Sequence, residues 1–167
     1  PAPDRAGLDA RVHAAFSHVP GRFRGGEGDD PAGFARLNRD GTVRLFEAAK
    51  AAGVNRVVFL SSRAVHGGWP PGTALHEGLE ARPDTLYGEV KVAAERALAA
   101  LSAPSFAGVS LRATGVYGPP VPGLPHKWQP LLDAFARAEA IAPRAGTEVH
   151  AGDLAASIRL LLEADTG

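Results

Sequence analysis

The sequence predicts an α/β fold built on a parallel sheet, and three observations carry that expectation. Val57-Val58-Phe59-Leu60 is an unbroken run of β-branched and aromatic residues, the composition of a strand buried on both faces. Two stretches flanking it, 31–52 and 84–102, repeat apolar residues at helical spacing. Strand-like segments alternate with these helices across short connections, an arrangement that builds parallel sheets with right-handed crossovers.

In order along the chain, residues 10–16, ARVHAAF, read as a short strand, and GRFRGGEGDD (21–30) as a loop. Residues 31–52 form a helix through Phe34, Leu37, Val43, Leu45, Phe46 and Ala49, with Gly53 where a C-terminal capping glycine belongs. NRVVFLSS (55–62) is the buried strand. The helix over 84–102 is capped by Asp84 or Thr85 and buries Leu86, Val90, Ala94, Ala97, Leu98 and Leu101. GVSLRATGV (108–116) is a further strand, and GPPVPGLPHKWQP (118–130) is too rich in proline for regular structure. Helices near 129–140 and 153–164 follow, the second capped by Asp153. No internal repeat is visible.

Composition narrows the function. At 167 residues the chain has the size of one domain. Its 18 basic and 18 acidic residues cancel, so charge gives no case for nucleic acid or an anionic membrane as partner. No apolar stretch approaches the roughly 18–20 residues of a membrane span, and no secretory signal is seen, so a cytoplasmic protein is expected. With no cysteine, disulfides, thiolate metal sites and a cysteine nucleophile are excluded. Six scattered histidines, of which only His76 has an acidic neighbour, Glu77, give no metal site. Glu27, Asp29 and Asp30 within RGGEGDD would repel phosphate.

Parallel sheets hold ligands at the carboxyl ends of their strands. Ser61 and Ser62 stand at that end of the strand over 55–62, and LYGEVKVAAE (86–95) puts Tyr87 and Lys91 four residues apart on one helical face. An ammonium about 4 Å from a phenol favours the phenolate by ~4 kcal/mol at an effective dielectric of ~20. Such a pair makes a general base that works near neutral pH. Taken alone, a tyrosine and a lysine at this spacing read better as a solvated helix face than as a catalytic pair.

In company they read differently. LNRDGTVRLFEAAKAAGVNRVVFLSSRAVHGG (37–68), LYGEVKVAAE (86–95) and LRATGVYGPP (111–120), in that order, resemble the extended short-chain dehydrogenase/reductase family, the NAD-dependent epimerases and dehydratases. The resemblance runs from about residue 8 to residue 165. It implies a Rossmann-like doubly wound parallel sheet that lacks its N-terminal glycine-loop unit and carries part of a small C-terminal substrate lobe. Residues 1–118 would be a partial NAD(P)-binding domain and 119–167 a partial substrate region.

By the same resemblance Tyr87 is the catalytic acid/base, Lys91 its partner, and Ser62, twenty-five residues before Tyr87, the hydrogen-bond donor to the reacting oxygen. His13, Ala14, Ala15, Asn38, Ser61 and Thr114, with Tyr87 and Lys91, would line an NAD or NADP cofactor. The implied substrate is a sugar, free or nucleotide-linked, or a small alcohol or carbonyl compound. The implied partner is a second copy of the chain, through the Ala-rich face of 92–100. A non-catalytic nucleotide-binding or interaction protein on the same fold is the rival reading. Arg112 and Asp153 match family positions but also suit an ion-pair partner and a helix cap, and His66 suits a plain loop residue.

Three departures from the family pattern stand out. Phe16 replaces a small residue, and Gly115 stands where nucleotide-sugar enzymes usually carry asparagine. No Gly-x-x-Gly-x-x-Gly precedes Asn38; the chain begins near the family's fourth strand and contains no methionine. The expectation is a partial view of a longer enzyme.

Overall fold

Strands β1 (Ala10–His13), β2 (Arg56–Ser62) and β3 (Ala107–Ala113) pair in parallel in the order β1-β2-β3. The computed structural model describes residues 8–19, 25–120, 122–123, 126–143 and 146–164. The start of the Gly-rich loop (21–24) and positions 121, 124 and 125 of the proline-rich stretch lie outside the described residues. Central β2 is covered on both faces, with Val57, Val58 and Phe59 each no more than 2% exposed, which is why its sequence shows no alternation. At the edge of the sheet, β1 leaves Val12 40% exposed. It ends at His13 rather than at residue 16.

The strand expected over 108–116 divides. β3 stops at Ala113, and after Thr114 the chain enters β4 (Gly115–Tyr117). β4 pairs in parallel with β5 (Glu148–His150) in a second, two-stranded sheet. Three residues of Glu-Val-His carry too little pattern for β5 to be read from sequence.

The helix expected over 31–52 forms in three parts: α1 (Pro31–Ala35), a π-helical turn (Arg36–Asp40) and α2 (Gly41–Ala51). Asp30 caps α1, its Oδ1 accepting from Gly33 N at 2.7 Å. Because the π turn widens the helix, the apolar stripe slips: Phe34, Phe46 and Ala49 are buried, whereas Leu37 is 61% exposed. Gly53, at φ 78°, lies just beyond the helix as expected.

Helix α3 (Leu86–Leu101) is capped by Thr85, whose Oγ1 accepts from Gly88 N at 3.1 Å. The core joins Phe46 and Ala49 of α2, Val54, Val57 and Phe59 of β2, Ala94 and Leu98 of α3, and Phe106. Helix α4 (Gln129–Ala136) ends before residue 140 and buries none of its residues. Helix α5 (Ala151–Glu163) starts directly after β5, so its cap is the last strand residue, His150, whose Nδ1 accepts from Gly152 N at 3.2 Å. Asp153, the expected cap, therefore sits in the first turn. Arg56 at the start of β2 donates to the carbonyls of Leu161 and Leu162 at 3.0 and 2.6 Å. It satisfies helix-end acceptors that would otherwise lack partners. No helix among the described residues is long and apolar enough to cross a membrane.

Candidate active site

Side-chain alternation along β2 sends its two terminal serines to opposite sides. Ser61 is buried and gives its hydroxyl to the Glu95 carboxylate of α3. Ser62 is half-buried, and its Oγ accepts from Ala64 N at 3.2 Å, capping a 3-10 turn over Arg63–His66. One acceptor site of that hydroxyl is thus in use, while its own O–H remains able to donate.

The first turn of α3 lies on this 3-10 turn, and Gly88 makes the contact: a Cβ there would fall 2.7 Å from Ala64 O. Tyr87 and Lys91 follow from the helical repeat. Lys91 is 4% exposed. Its Nζ donates to Leu60 O at 2.8 Å, and lies 4.5 Å from the Phe16 ring centroid, 4.7 Å from that of Phe59 and 5.8 Å from that of Tyr87. Tyr87 meets Phe16 edge to face, centroids 5.0 Å apart at 80°. Burial pushes the Lys91 ammonium down from its ordinary 10.5 to about 8, and Glu95, one turn further along, pulls the other way.

Glu95 is held in turn by Arg112 of β3, which donates through Nε at 3.1 Å and Nη2 at 2.8 Å. Arg112 is thus an ion-pair partner. Its Nη1 also lies 3.4 Å from His66 Nε2 and 3.4 Å from Glu77. His66 is buried rather than a loop-surface residue, and burial first, then Arg112, lowers its pKa.

The Asn-x-x-Gly-Thr motif ties β1 to the helix beyond it. Asn38 sits in the π turn, where Oδ1 accepts from Ser17 N at 2.8 Å and Nδ2 donates to Ser17 O at 2.7 Å and to Phe34 O at 3.1 Å. A primary amide is the side chain that donates and accepts side by side, so Asn38 holds the segment after β1 much as a neighbouring strand would. Thr42 Oγ1 lies 2.9 Å from His13 Nε2. The His13 ring stacks on Phe59, and burial first, then Lys91 and Arg11, lower its pKa to about 4, so it is neutral at pH 7.

Ala14 and Ala15 are exposed beyond the end of β1, and Thr114 is half-buried between β3 and β4. The arrangement suits the ribose end of a dinucleotide. Two small side chains leave room, and Lys91 has three donors of which Leu60 O takes one. Three contributors escaped the sequence reading: Thr42, Gly88 and Glu95. Each had a signal in place, as the last residue of the Asn motif, the neighbour of Tyr87, and the acid four residues after Lys91.

Residues 2–167 match the profile of the NAD dependent epimerase/dehydratase family. The chain belongs to that family. Among curated relatives, the UDP-glucose 4-epimerase of Rhizobium leguminosarum bv. trifolii is 39% identical over 101 residues, covering 58% of this chain and 31% of the relative. Among solved structures, MoeE5 in complex with UDP-glucuronic acid and NAD is 31% identical, with a TM-score of 0.74 over 97% of this chain and 55% of the other. The UDP-glucose 4-epimerase from Brucella ovis in complex with NAD is 28% identical, with a TM-score of 0.70 over 93% and 53%. The chain therefore spans about half the length of these structures and under a third of the curated relative. In the terms of this epimerase/dehydratase family, the β1-β2-β3 sheet and its helices are part of the Rossmann-like fold.

Proposed function

We propose that this chain carries the acid–base half of an NAD(P)-dependent epimerase/dehydratase-type enzyme acting on a sugar, in which Tyr87 is the catalytic acid/base. The observation that carries the reading is Lys91: an ammonium buried one helical turn from Tyr87, at the carboxyl end of the central strand, where its Nζ donates to Leu60 O. Structural convenience does not explain a charge in that place, because an apolar residue would pack there at lower cost. The UDP-sugar enzymes among the relatives favour a nucleotide-linked sugar over a free one or a small carbonyl compound, Gly115 notwithstanding.

In this reading Tyr87 removes the proton of a substrate hydroxyl and Ser62 donates a hydrogen bond to the same oxygen. Lys91 stabilises the phenolate that accepts the proton. When bound, the nicotinamide cofactor supplies the hydride acceptor and donor. Ala14 and Ala15 would leave space for its ribose, Lys91 would offer it a hydrogen-bond donor, and Asn38 keeps the segment after β1 in position through Ser17. Return of the proton from Tyr87 to the same oxygen restores the hydroxyl and completes the cycle of the base.

The test is Tyr87→Phe in the complete protein. Turnover should fall by roughly 10²–10⁴-fold, the usual worth of a general acid/base, with the melting temperature little changed. Retention of full turnover would exclude the assigned role.

A further inference from the structure

Lys91 is enclosed by aromatic faces, and one of them belongs to the residue that departs from the family pattern. Phe16 is half-buried, its ring 4.5 Å from Nζ on one side while Phe59 lies 4.7 Å away. The same Phe16 ring meets Tyr87, and Phe34 of α1 packs against it edge to face at 5.5 Å. Its neighbour Ser17 is clamped by both ends of the Asn38 amide, so the ring is held in place by backbone as well as by packing. We propose that Phe16 is a positioning residue for the Tyr87–Lys91 pair, a ring that keeps water off the Lys91 ammonium and fixes the edge of the tyrosine. This builds on the acid–base reading of that pair.

The ring acts in two opposed ways. It excludes water, which disfavours the charged lysine, and it presents a π face, which favours it. The other titratable groups around Lys91 are Tyr87 and Glu95 on α3, His13 on β1 and, behind Glu95, Arg112 on β3. Burial keeps His13 neutral above about pH 4, and Glu95 is locked to Arg112. Changing Phe16 thus alters the surroundings of Lys91 while leaving every neighbouring charge in place.

The sequence contains three lysines, Lys50, Lys91 and Lys127, so lysine-selective ¹³C labelling reads Lys91 directly, with Lys91→Arg to assign its signal. The wild-type signal should titrate near about 8. Phe16→Ala admits water and should raise that midpoint by about one unit, tenfold in the charged-to-neutral ratio. Phe16→Leu keeps the site dry but removes the π face, and should lower it by about half a unit, roughly threefold. Opposite shifts support the proposal; no shift in either variant, or shifts in one direction, overturn it. If Phe16→Ala does not fold, a wild-type midpoint in Phe16→Leu overturns it alone. The titration needs neither substrate nor cofactor, so it stands or falls separately from the Tyr87→Phe turnover measurement.

Discussion

A buried ammonium makes Lys91 a destabilising residue at neutral pH. In the unfolded chain it titrates near 10.5; in the fold, near about 8. Below pH 8 it is charged in both states, and the drop corresponds to roughly 3 kcal/mol of lost stability. Between pH 8 and 10.5 the native state sheds the proton while the unfolded state keeps it, so wild-type stability rises with pH across that window. Lys91→Met should therefore unfold at a higher denaturant concentration than wild type at pH 7, by up to about 3 kcal/mol. Its advantage should shrink toward pH 10. A Met variant less stable than wild type at pH 7 would mean that the Leu60 hydrogen bond and the two rings outweigh the burial penalty.

Between residue and domain, the decisive contact is helix against turn. If α3 had open space beside Gly88, replacement by alanine would stabilise the helix by about 1 kcal/mol. With Ala64 O 2.7 Å from the new Cβ, Gly88→Ala should instead lower stability by ~1–3 kcal/mol. Displacing Tyr87 by even 1 Å should cut turnover about 100-fold. A thermal melt gives the sign, and a rise in melting temperature would disprove the close packing. This is also where sequence reading reached its limit. β2, α3 and the glycine after α2 were legible because a run of apolar residues, a 3.6-residue period and a left-handed cap are local properties. Elsewhere the outcome depends on partners far along the chain. Asn38 in the π turn is bonded to Ser17, twenty-one residues away, in the segment that follows the end of β1. β5 exists only because β4 lies beside it, and its arrival moved the α5 cap from Asp153 to His150. Of the candidate site, the spacing of Tyr87 and Lys91 on α3 and the place of Ser62 at the end of β2 were legible, but the burial of Lys91 between two rings could not be read without knowing where Phe16 falls.

Across the whole molecule, two arginines fasten the helices to the sheet at opposite ends. Arg56 holds the carboxyl end of α5 to the start of β2, and Arg112 joins β3 to α3 through Glu95, which also receives Ser61 of β2. The Arg112 and Glu95 side chains are only 17% and 10% exposed, so removing one partner leaves a buried charge uncompensated. Arg112→Met should cost about 3–5 kcal/mol in chemical denaturation, and adding Glu95→Met should restore most of it. A double variant as unstable as the single one would show that shape rather than charge holds this junction. The same junction bears on the interval between Ser62 and Tyr87. Ser62 is seated by the sheet, and Tyr87 by the Gly88 contact with the turn that Ser62 caps and by the ionic anchor one turn past Lys91. The intervening chain is then a ruler at its start and a tether beyond: Ala64 and His66 are fixed by the Gly88 and Arg112 contacts, whereas the mostly exposed residues 70–76 are free to change in length and composition while Ser62 and Tyr87 keep their places.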